Sequence, residues 1–324
     1  MSEPVESPKS RVENAMDHVS RFTFHDSPAQ RAGRRFRSNR LAVISSCFLL
    51  LVLMFAIGYP LISHDRSDQL SDAQFQPPSA QHWLGTDIHG RDLLGRLCSG
   101  AQISLLVGIV GAGVSLVIGV LWGAIAGYNG GRLDGGMMRF VDVLYSMPSI
   151  ILAIVLMSTL EPILKRWLGT VGVSEAGKMA RLLVMFTALG SVSWLTMARI
   201  VRGQVLSLRT RPFVEASRAL GAGPLRILGR HIIPNTLGVV IIYLMLTVPE
   251  IILYESFLSF LGLGIQPPMA SWGSLIAEGV DQINPIRIYW WLIAFPAGVL
   301  VTTLLALNFL GDGLREAWDV RGRT

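Results

Sequence analysis

Long apolar runs without charge are the feature that most constrains how this chain can fold. Segments 41–62, 103–128 and 288–311 contain no acidic or basic residue. A helix of about 20 mainly apolar residues crosses the bilayer hydrocarbon, where only helices and closed barrels satisfy their own backbone hydrogen bonds. Continuous apolar runs differ from the short alternating segments of membrane barrels. The sequence therefore predicts an all-α polytopic membrane protein.

Three further apolar segments raise the predicted number of transmembrane helices to six. These segments are 140–160, 182–198 and 236–260. The first contains Asp142, the second is short but uncharged, and the third contains Glu250 and Glu255. The composition agrees, since 51% of the 324 residues are hydrophobic and 15% are charged, against about a quarter charged in soluble domains. A mean hydropathy of +0.49 also excludes an ordinary water-soluble globule.

The basic residues predict the orientation of these helices. Lysine and arginine are retained on the cytoplasmic side of a membrane, and 20 of the 28 lie on the side of the N-terminus if six helices span. Both termini are therefore expected in the cytoplasm. The predicted outer loop 161–181 is an exception, because it contains Lys165, Arg166, Lys178 and Arg181.

The N-terminal region carries a basic cluster directly before the first apolar run. Residues 1–30 mix charges with Ser and Pro, so they are predicted to be a disordered cytoplasmic tail. Residues 31–80 are predicted to contain the first transmembrane helix and the start of an outer loop. The apolar run of this helix is too long for the apolar region of a cleavable signal peptide. The arginines expected at anionic lipid headgroups are Arg31, Arg34, Arg35, Arg37 and Arg40. The net charge of +6 thus indicates membrane lipid rather than nucleic acid, since stacking aromatics are few.

Glycines recur at every fourth position in the second predicted transmembrane helix. Gly119, Gly123 and Gly127 fall on one helical face, and small residues at this spacing let a neighbouring helix approach closely. We therefore expect a helix-packing surface here, with a lipid-facing position as the alternative.

Two local patterns allow a weaker interpretation as binding sites. His82, Asp87 and His89 lie close together in the outer loop, but their spacing matches no common metal-ligand pattern. Segment 172–179 matches a phosphate-binding loop except at its last position, where Met179 stands in place of Ser or Thr. The sequence therefore favours neither a metal site nor a nucleotide site.

The segment between the fourth and fifth predicted helices carries the most specific pattern. It predicts a short helix over 213–220, a left-handed turn at Gly221 and a second helix starting at Pro224. The apolar side chains expected to pack inward are Phe213, Ala216, Leu220, Leu225, Ile227 and Leu228. The charged side chains expected to face water are Glu215, Arg218, Arg226 and Arg230. Because no nucleophile is paired with a base, the segment indicates a rigid protrusion for a partner rather than an active site.

The order of residues in this segment is also distinctive. Glu215-Ala216-Ser217 is followed after three residues by Gly221 and after nine more by His231-Ile-Ile-Pro234. This order resembles the EAA loop of bacterial ABC importer permeases, with Ser217 where a second alanine is usual and His231 similar to the peptide-importer branch. The further stretches that resemble the C-type permease subunit of oligopeptide and dipeptide importers are 84–92, 193–204, 255–264, 271–273 and 311–315.

This resemblance implies the type I ABC importer permease fold, with the permease transmembrane domain over 101–315 and a coupling loop over 211–235. It implies a non-catalytic subunit of the cytoplasmic (inner) membrane that moves oligopeptides by alternating access. The expected partners are a second homologous permease subunit, two cytoplasmic ATPase subunits and an extracytoplasmic solute-binding protein. ATP and magnesium would bind the ATPases, and no cofactor is expected on this chain. The residues expected to couple to the ATPase are Glu215, Ala216, Ser217, Ala219, Gly221 and Pro234.

The sequence leaves other substrates and another transport class open. Dipeptide, nickel and antimicrobial-peptide importers share these motifs. An ion-coupled secondary transporter would use acids inside the membrane, which cost about 3 kcal/mol on insertion scales, and Glu250 and Glu255 are candidates. Five helical residues separate them by about 140°, which favours two separate roles. Each acid could line a translocation path or be satisfied by a neighbouring helix.

Overall fold

The computed structural model describes residues 28–62, 70–173 and 175–318, and most of them are helical. The helices in these ranges are α1 (Pro28–Ser38), α2 (Arg40–Ile62), α3 (Leu93–Asn129), α4 (Gly131–Tyr145), α5 (Ser149–Thr170), α6 (Ala176–Leu208), α7 (Pro212–Ala219), α8 (Pro224–Ile227), α9 (Ile233–Phe260), α10 (Trp272–Asp281) and α11 (Trp291–Trp318). A π-helical turn joins α8 to α9. Residues 1–27 of the predicted disordered tail lie outside the described residues. Residues 28–30 belong to α1, so the prediction of disorder is wrong for them.

Five of the six predicted transmembrane segments correspond to single helices. In the described part of the chain, α2, α3, α6, α11 and the continuous run from α8 to α9 are long and apolar enough to cross a membrane. The predicted all-α polytopic class is confirmed.

The third predicted segment, 140–160, is not the continuous helix that the sequence indicated. It is divided between α4 and α5, which meet at an angle of 91°. Pro148 precedes the first residue of α5, and a proline disfavours the helical conformation of the residue before it, here Met147. The prediction of one straight helix is therefore wrong, and the total reaches six only if the bent pair forms one span.

The predicted outer loop 161–181 is also mostly helical. The end of α5 and the start of α6 cover it except for a short turn. Two of its four basic side chains are paired with acids: Arg181 lies 2.6 Å from Glu161 and Lys178 lies 2.7 Å from Glu175. These pairs offset half of the positive charge that conflicted with the predicted topology.

Helices α3 and α6 pack against each other along the glycine stripe. A Cβ atom added at Gly119 would lie 2.6 Å from the Cβ of Met197, and one added at Gly123 would lie 2.4 Å from the carbonyl oxygen of Ala198. Such distances admit no side chain, and a Cβ atom added at Gly127 would lie 2.9 Å from the carbonyl oxygen of Arg202 in α6. The predicted helix-packing surface is confirmed.

The start of α2 and the end of α11 lie side by side. The Asn39 amide donates to Glu316 Oε2 at 3.0 Å, and Gly313 approaches the Cβ of Ala42 so closely that no side chain would fit there. The start of α2 and the end of α11 therefore lie on the same side of the helix bundle.

Candidate coupling surface and translocation cleft

The coupling turn, residues 212–227, consists of α7, a left-handed turn and α8. Pro212 is the first residue of α7, where its missing N–H costs no hydrogen bond. Gly221 has a φ of +82°, and its N–H donates to the carbonyl of Arg218 at 3.0 Å. Pro224 begins α8. The predicted helix, left-handed turn and second helix are all present.

Three buried apolar side chains, two in the coupling turn and one in the π-helical turn that follows it, attach this region to the helix bundle. Val214, Ile227 and Ile232 are 0–1% exposed. The residues that they pack against come from α3, α6 and α9: Ala124, Met197, Val201, Val205 and Val240. The coupling turn is therefore packed against three long helices.

Most of the apolar side chains predicted to face inward instead face outward. Leu220 and Leu225 are 88% and 85% exposed, and Phe213 is 41% exposed. Ala216 is exposed as well, and of the six predicted residues only Ile227 and Leu228 contact the core. The prediction was wrong because α7 and α8 are too short to bury two faces, and Val214, which the sequence analysis did not select, occupies the inward position. The charged side chains predicted to face water are exposed.

The remaining residues predicted to couple to the ATPase lie on or next to this turn. Ala219 is the last residue of α7, and Pro234 lies in the first turn of α9. The Ser217 hydroxyl donates to the Phe213 carbonyl at 2.8 Å and lies 3.4 Å from His231 Nε2. The two departures from the EAA pattern, Ser217 and His231, are thus in contact.

Glu255 is enclosed between helices. It is 0% exposed, and its carboxylate accepts hydrogen bonds from Ser104 at 2.9 Å and Ser259 at 2.7 Å. Ser104 belongs to α3, and its oxygen also accepts from the backbone N–H of Trp272, the first residue of α10, at 3.3 Å. This geometry favours the structural alternative, in which Glu255 ties α3, α9 and α10 together.

Glu250 has the opposite environment. It is exposed and lies at a cleft of about 120 Å³ between α6, α9 and the bend that separates α4 from α5. The Tyr254 hydroxyl donates to Glu250 Oε1 at 3.1 Å. Of the two acids predicted as candidates for a translocation path, the structure brings only Glu250 to an open polar surface.

A further charged group joins the predicted outer loop after α2, residues 70–92, to α10. We call this group the loop ion cluster. Arg91 Nε donates to Asp87 Oδ2 at 2.7 Å, and Arg96 Nη1 donates to the same oxygen at 3.0 Å. Arg96 Nη2 also donates to Glu278 Oε1 at 2.9 Å. Glu278 could not be predicted as a member of this cluster because it lies 182 residues from Arg96 in the sequence.

The same geometry bears on the alternative metal site in this loop. The Asp87 carboxylate is engaged by two arginines, while His82 faces Asp92, with 3.5 Å between Nδ1 and Oδ1. Within the described residues, no group of three or more His, Cys, Asp or Glu side chains could hold a metal ion.

Comparisons with known proteins give a consistent result. Residues 119–323 match the family described as binding-protein-dependent transport system inner membrane component, and residues 27–78 match the N-terminal TM domain of oligopeptide transport permease C. The dipeptide transport system permease protein DppC of Bacillus subtilis is 43% identical over 92% of this chain and 87% of that protein. The oligopeptide transport system permease protein OppC of Escherichia coli K12 is 44% identical over 91% of each protein. A chain of the MetNI methionine ABC transporter in an inward-facing conformation is 22% identical, over 69% of this chain and 97% of that chain, with a TM-score of 0.49.

Proposed function

Because the chain belongs to the family of binding-protein-dependent transport system inner membrane components, we propose that it is the membrane-spanning permease subunit of an ATP-driven oligopeptide importer. Its relatives include permeases of oligopeptide and dipeptide transport systems, which align with about nine-tenths of the chain. Dipeptides are the second candidate substrate, since the dipeptide permease is as similar, at 43%, as the oligopeptide permease, at 44%.

The exposed coupling turn is the observation that carries the proposal. Leu220 and Leu225 flank its left-handed turn and are almost fully exposed, although Val214 fixes the same turn rigidly to the bundle. Large apolar side chains on a rigid protrusion are typical of a protein-binding surface. The proposed partner is a cytoplasmic ATPase subunit, which would carry the ATP and magnesium of the transporter.

The proposed mechanism is alternating access driven through the coupling turn. Closure of two ATPases would move α7 and, through Val214 and Ile227, the ends of α3, α6 and α9. The Glu255 hydrogen bonds connect α9 through Ser104 of α3 to α10. The loop ion cluster connects α10 to the loop 70–92 through Arg91 and Glu278, which are 3.7 Å apart. Rigid helices and buried polar contacts thus form a continuous route for displacement across the molecule.

The proposed assembly also includes a second permease subunit and a solute-binding protein. The cleft at Glu250, about 120 Å³ in volume, is too small to pass a peptide, so a second permease would complete the path. The solute-binding protein would deliver the peptide on the side of the membrane where the loop 70–92 is predicted to lie. The proposed topology places both termini and the coupling turn in the cytoplasm, which agrees with the contact between the start of α2 and the end of α11.

Replacement of Leu220 by aspartate tests the proposed docking surface. The permease would be co-expressed with its second permease and both ATPases, and the recovery of ATPase subunits in detergent would be measured. We expect Leu220→Asp to lower this recovery about tenfold, because a charge would enter an apolar contact. Leu70→Asp is the control, since Leu70 is also exposed, at 75%, but lies in the predicted outer loop after α2, away from the coupling turn. Equal ATPase recovery with the two variants would contradict the assignment of the coupling turn.

A further inference from the structure

The cleft at Glu250 combines a broken helix with a polar lining. Its polar side chains come from the α4–α5 bend, from α6 and from α9: Tyr145, Ser149, Ser193, Thr196, Glu250 and Tyr254. Irregular backbone at membrane depth is tolerated where it is buried in protein or lines a water-filled cavity. A carboxylate facing lipid would also be costly. Bend and lining together therefore indicate contact with water or solute rather than with lipid.

Glu250 supplies a negative charge that no basic side chain of the described residues pairs with. Its hydrogen-bond donor is the neutral hydroxyl of Tyr254. Arg199 comes near the cleft because it stacks on the Tyr145 ring, 4.0 Å from the centroid. However, Arg199 is paired with Asp142, at 2.8 Å. The first turn of α5 adds only a partial positive charge, so the cleft retains a net preference for a cation.

Ser193 provides a second, independent indication that a ligand binds here. It lines the cleft and is only 5% exposed. Its hydroxyl oxygen is buried and has no hydrogen-bond partner in the described part of the protein. Buried polar side chains are nearly always hydrogen-bonded, because an unpaired hydroxyl costs free energy. Because Ser193 lines the cleft, its missing partner is expected among the molecules that enter the cleft.

We propose that this cleft binds a cationic group of the transported peptide, an ammonium or guanidinium, through the Glu250 carboxylate and the Ser193 hydroxyl. Such a group donates several N–H bonds, and those to a carboxylate are charge-assisted and strong. A volume of about 120 Å³ holds one such group rather than a whole peptide. The proposal rests on the proposed function, since it assumes that peptides pass this surface.

The test is ATP-dependent uptake of trilysine and trialanine by the full transporter in proteoliposomes. The same binding protein delivers each peptide to every variant, so the ratio of variant to wild-type uptake isolates the effect of the permease. Glu250→Gln keeps the shape but removes the charge, and Glu250→Asp keeps the charge. Asp281→Asn, at an exposed acid on α10, is the control for charge removal elsewhere.

We expect Glu250→Gln to lower uptake about tenfold, as for the loss of a charge-assisted hydrogen bond, while Glu250→Asp keeps most of it. A loss for trilysine alone would identify the lysine side chain as the bound group, and a loss for both peptides would identify the N-terminal ammonium. The proposal is overturned if Glu250→Gln imports both peptides within twofold of wild type, or if Glu250→Asp lowers uptake as much as Glu250→Gln does. Absence of peptide import by the wild-type transporter would instead overturn the proposed function, and the proposal with it.

Ser193→Ala separates a ligand contact from a structural role. Because this hydroxyl has no partner within the described protein, its removal should not lower the melting temperature of the purified complex. We expect uptake of the recognised peptide to fall about threefold, as for one neutral hydrogen bond. A lower melting temperature with unchanged uptake would assign the hydroxyl to the fold and contradict its role in binding.

Discussion

Gly221 is the residue on which the shape of the coupling turn depends most directly. No atom lies within 4 Å of a Cβ added there, so its φ of +82° rather than lack of space requires glycine. A left-handed conformation costs other residues roughly 1–2 kcal/mol. We predict that Gly221→Val lowers ATP-dependent uptake roughly five- to thirtyfold, with unchanged insertion into the membrane.

Gly223→Val is the matched control for this prediction. Gly223 lies two residues further on, has equally open surroundings, and has a φ of −70° and a ψ of 162°, which valine adopts readily. We expect ATP-dependent uptake by Gly223→Val to lie within twofold of wild type. If Gly221→Val and Gly223→Val reduce uptake equally, the added side chain rather than backbone strain at Gly221 is responsible, which contradicts the prediction.

Glu255 makes a prediction about stability. Removal of its carboxylate would leave the hydroxyls of Ser104 and Ser259 without an acceptor in a buried site. We predict that Glu255→Ala lowers the melting temperature in detergent by about 5 °C or more. Glu250→Ala removes an exposed carboxylate and is expected to change it by less than about 2 °C. Equal shifts would show that Glu255 does not hold helices together.

At the scale of elements, the loop ion cluster holds α10 against the predicted outer loop. Arg96 is 2% exposed and contacts both Asp87 and Glu278. Removal of one partner from such a buried group costs roughly 3–5 kcal/mol. We predict that Arg96→Met speeds cleavage of the loop 70–92 by proteinase K at least about tenfold. The same rate in Arg96→Met and in the α10 control Asp281→Asn would contradict this role.

Local residues explain which elements the sequence could predict. The boundaries of α7 and α8 were predictable because prolines and glycines act through their own backbone. Helix α7 begins at Pro212 and ends before Gly221, and α8 begins at Pro224. The inward face of α7 depends instead on α3, α6 and α9, so the outward position of Leu220 was not predictable from its own segment. The dipeptide Met147-Pro148 indicates a helix end at the bend between α4 and α5. The bend was not predicted because the residues on both sides are apolar enough to be taken for one transmembrane helix.

At the scale of the whole molecule, hydropathy was sufficient for the class and for five of the six spans, because the bilayer imposes length and composition on each helix separately. Polar contacts between distant segments could not be predicted in this way. Ser104 and Glu255 are 151 residues apart, and Arg96 and Glu278 are 182 apart. The candidate site accordingly changed from two acids to one, Glu250, once the structure showed which carboxylate is enclosed.

The whole molecule is organised around the length of α3. Its 37 residues correspond to roughly 55 Å of helix, with the loop ion cluster at the N-terminal end and the coupling turn packed near the C-terminal end. This separation suits a subunit that receives force at one membrane surface and admits solute at the other.

Peptide uptake into proteoliposomes tests the proposed ATP-driven transporter directly. The proteoliposomes would contain either the chain alone or the chain with its second permease and both ATPases. Binding protein and labelled peptide would be supplied outside and ATP inside. We predict uptake only from the complete assembly with ATP, and none from the chain alone under a proton or sodium gradient. Uptake by the chain alone, driven by such a gradient without ATP, would contradict the account.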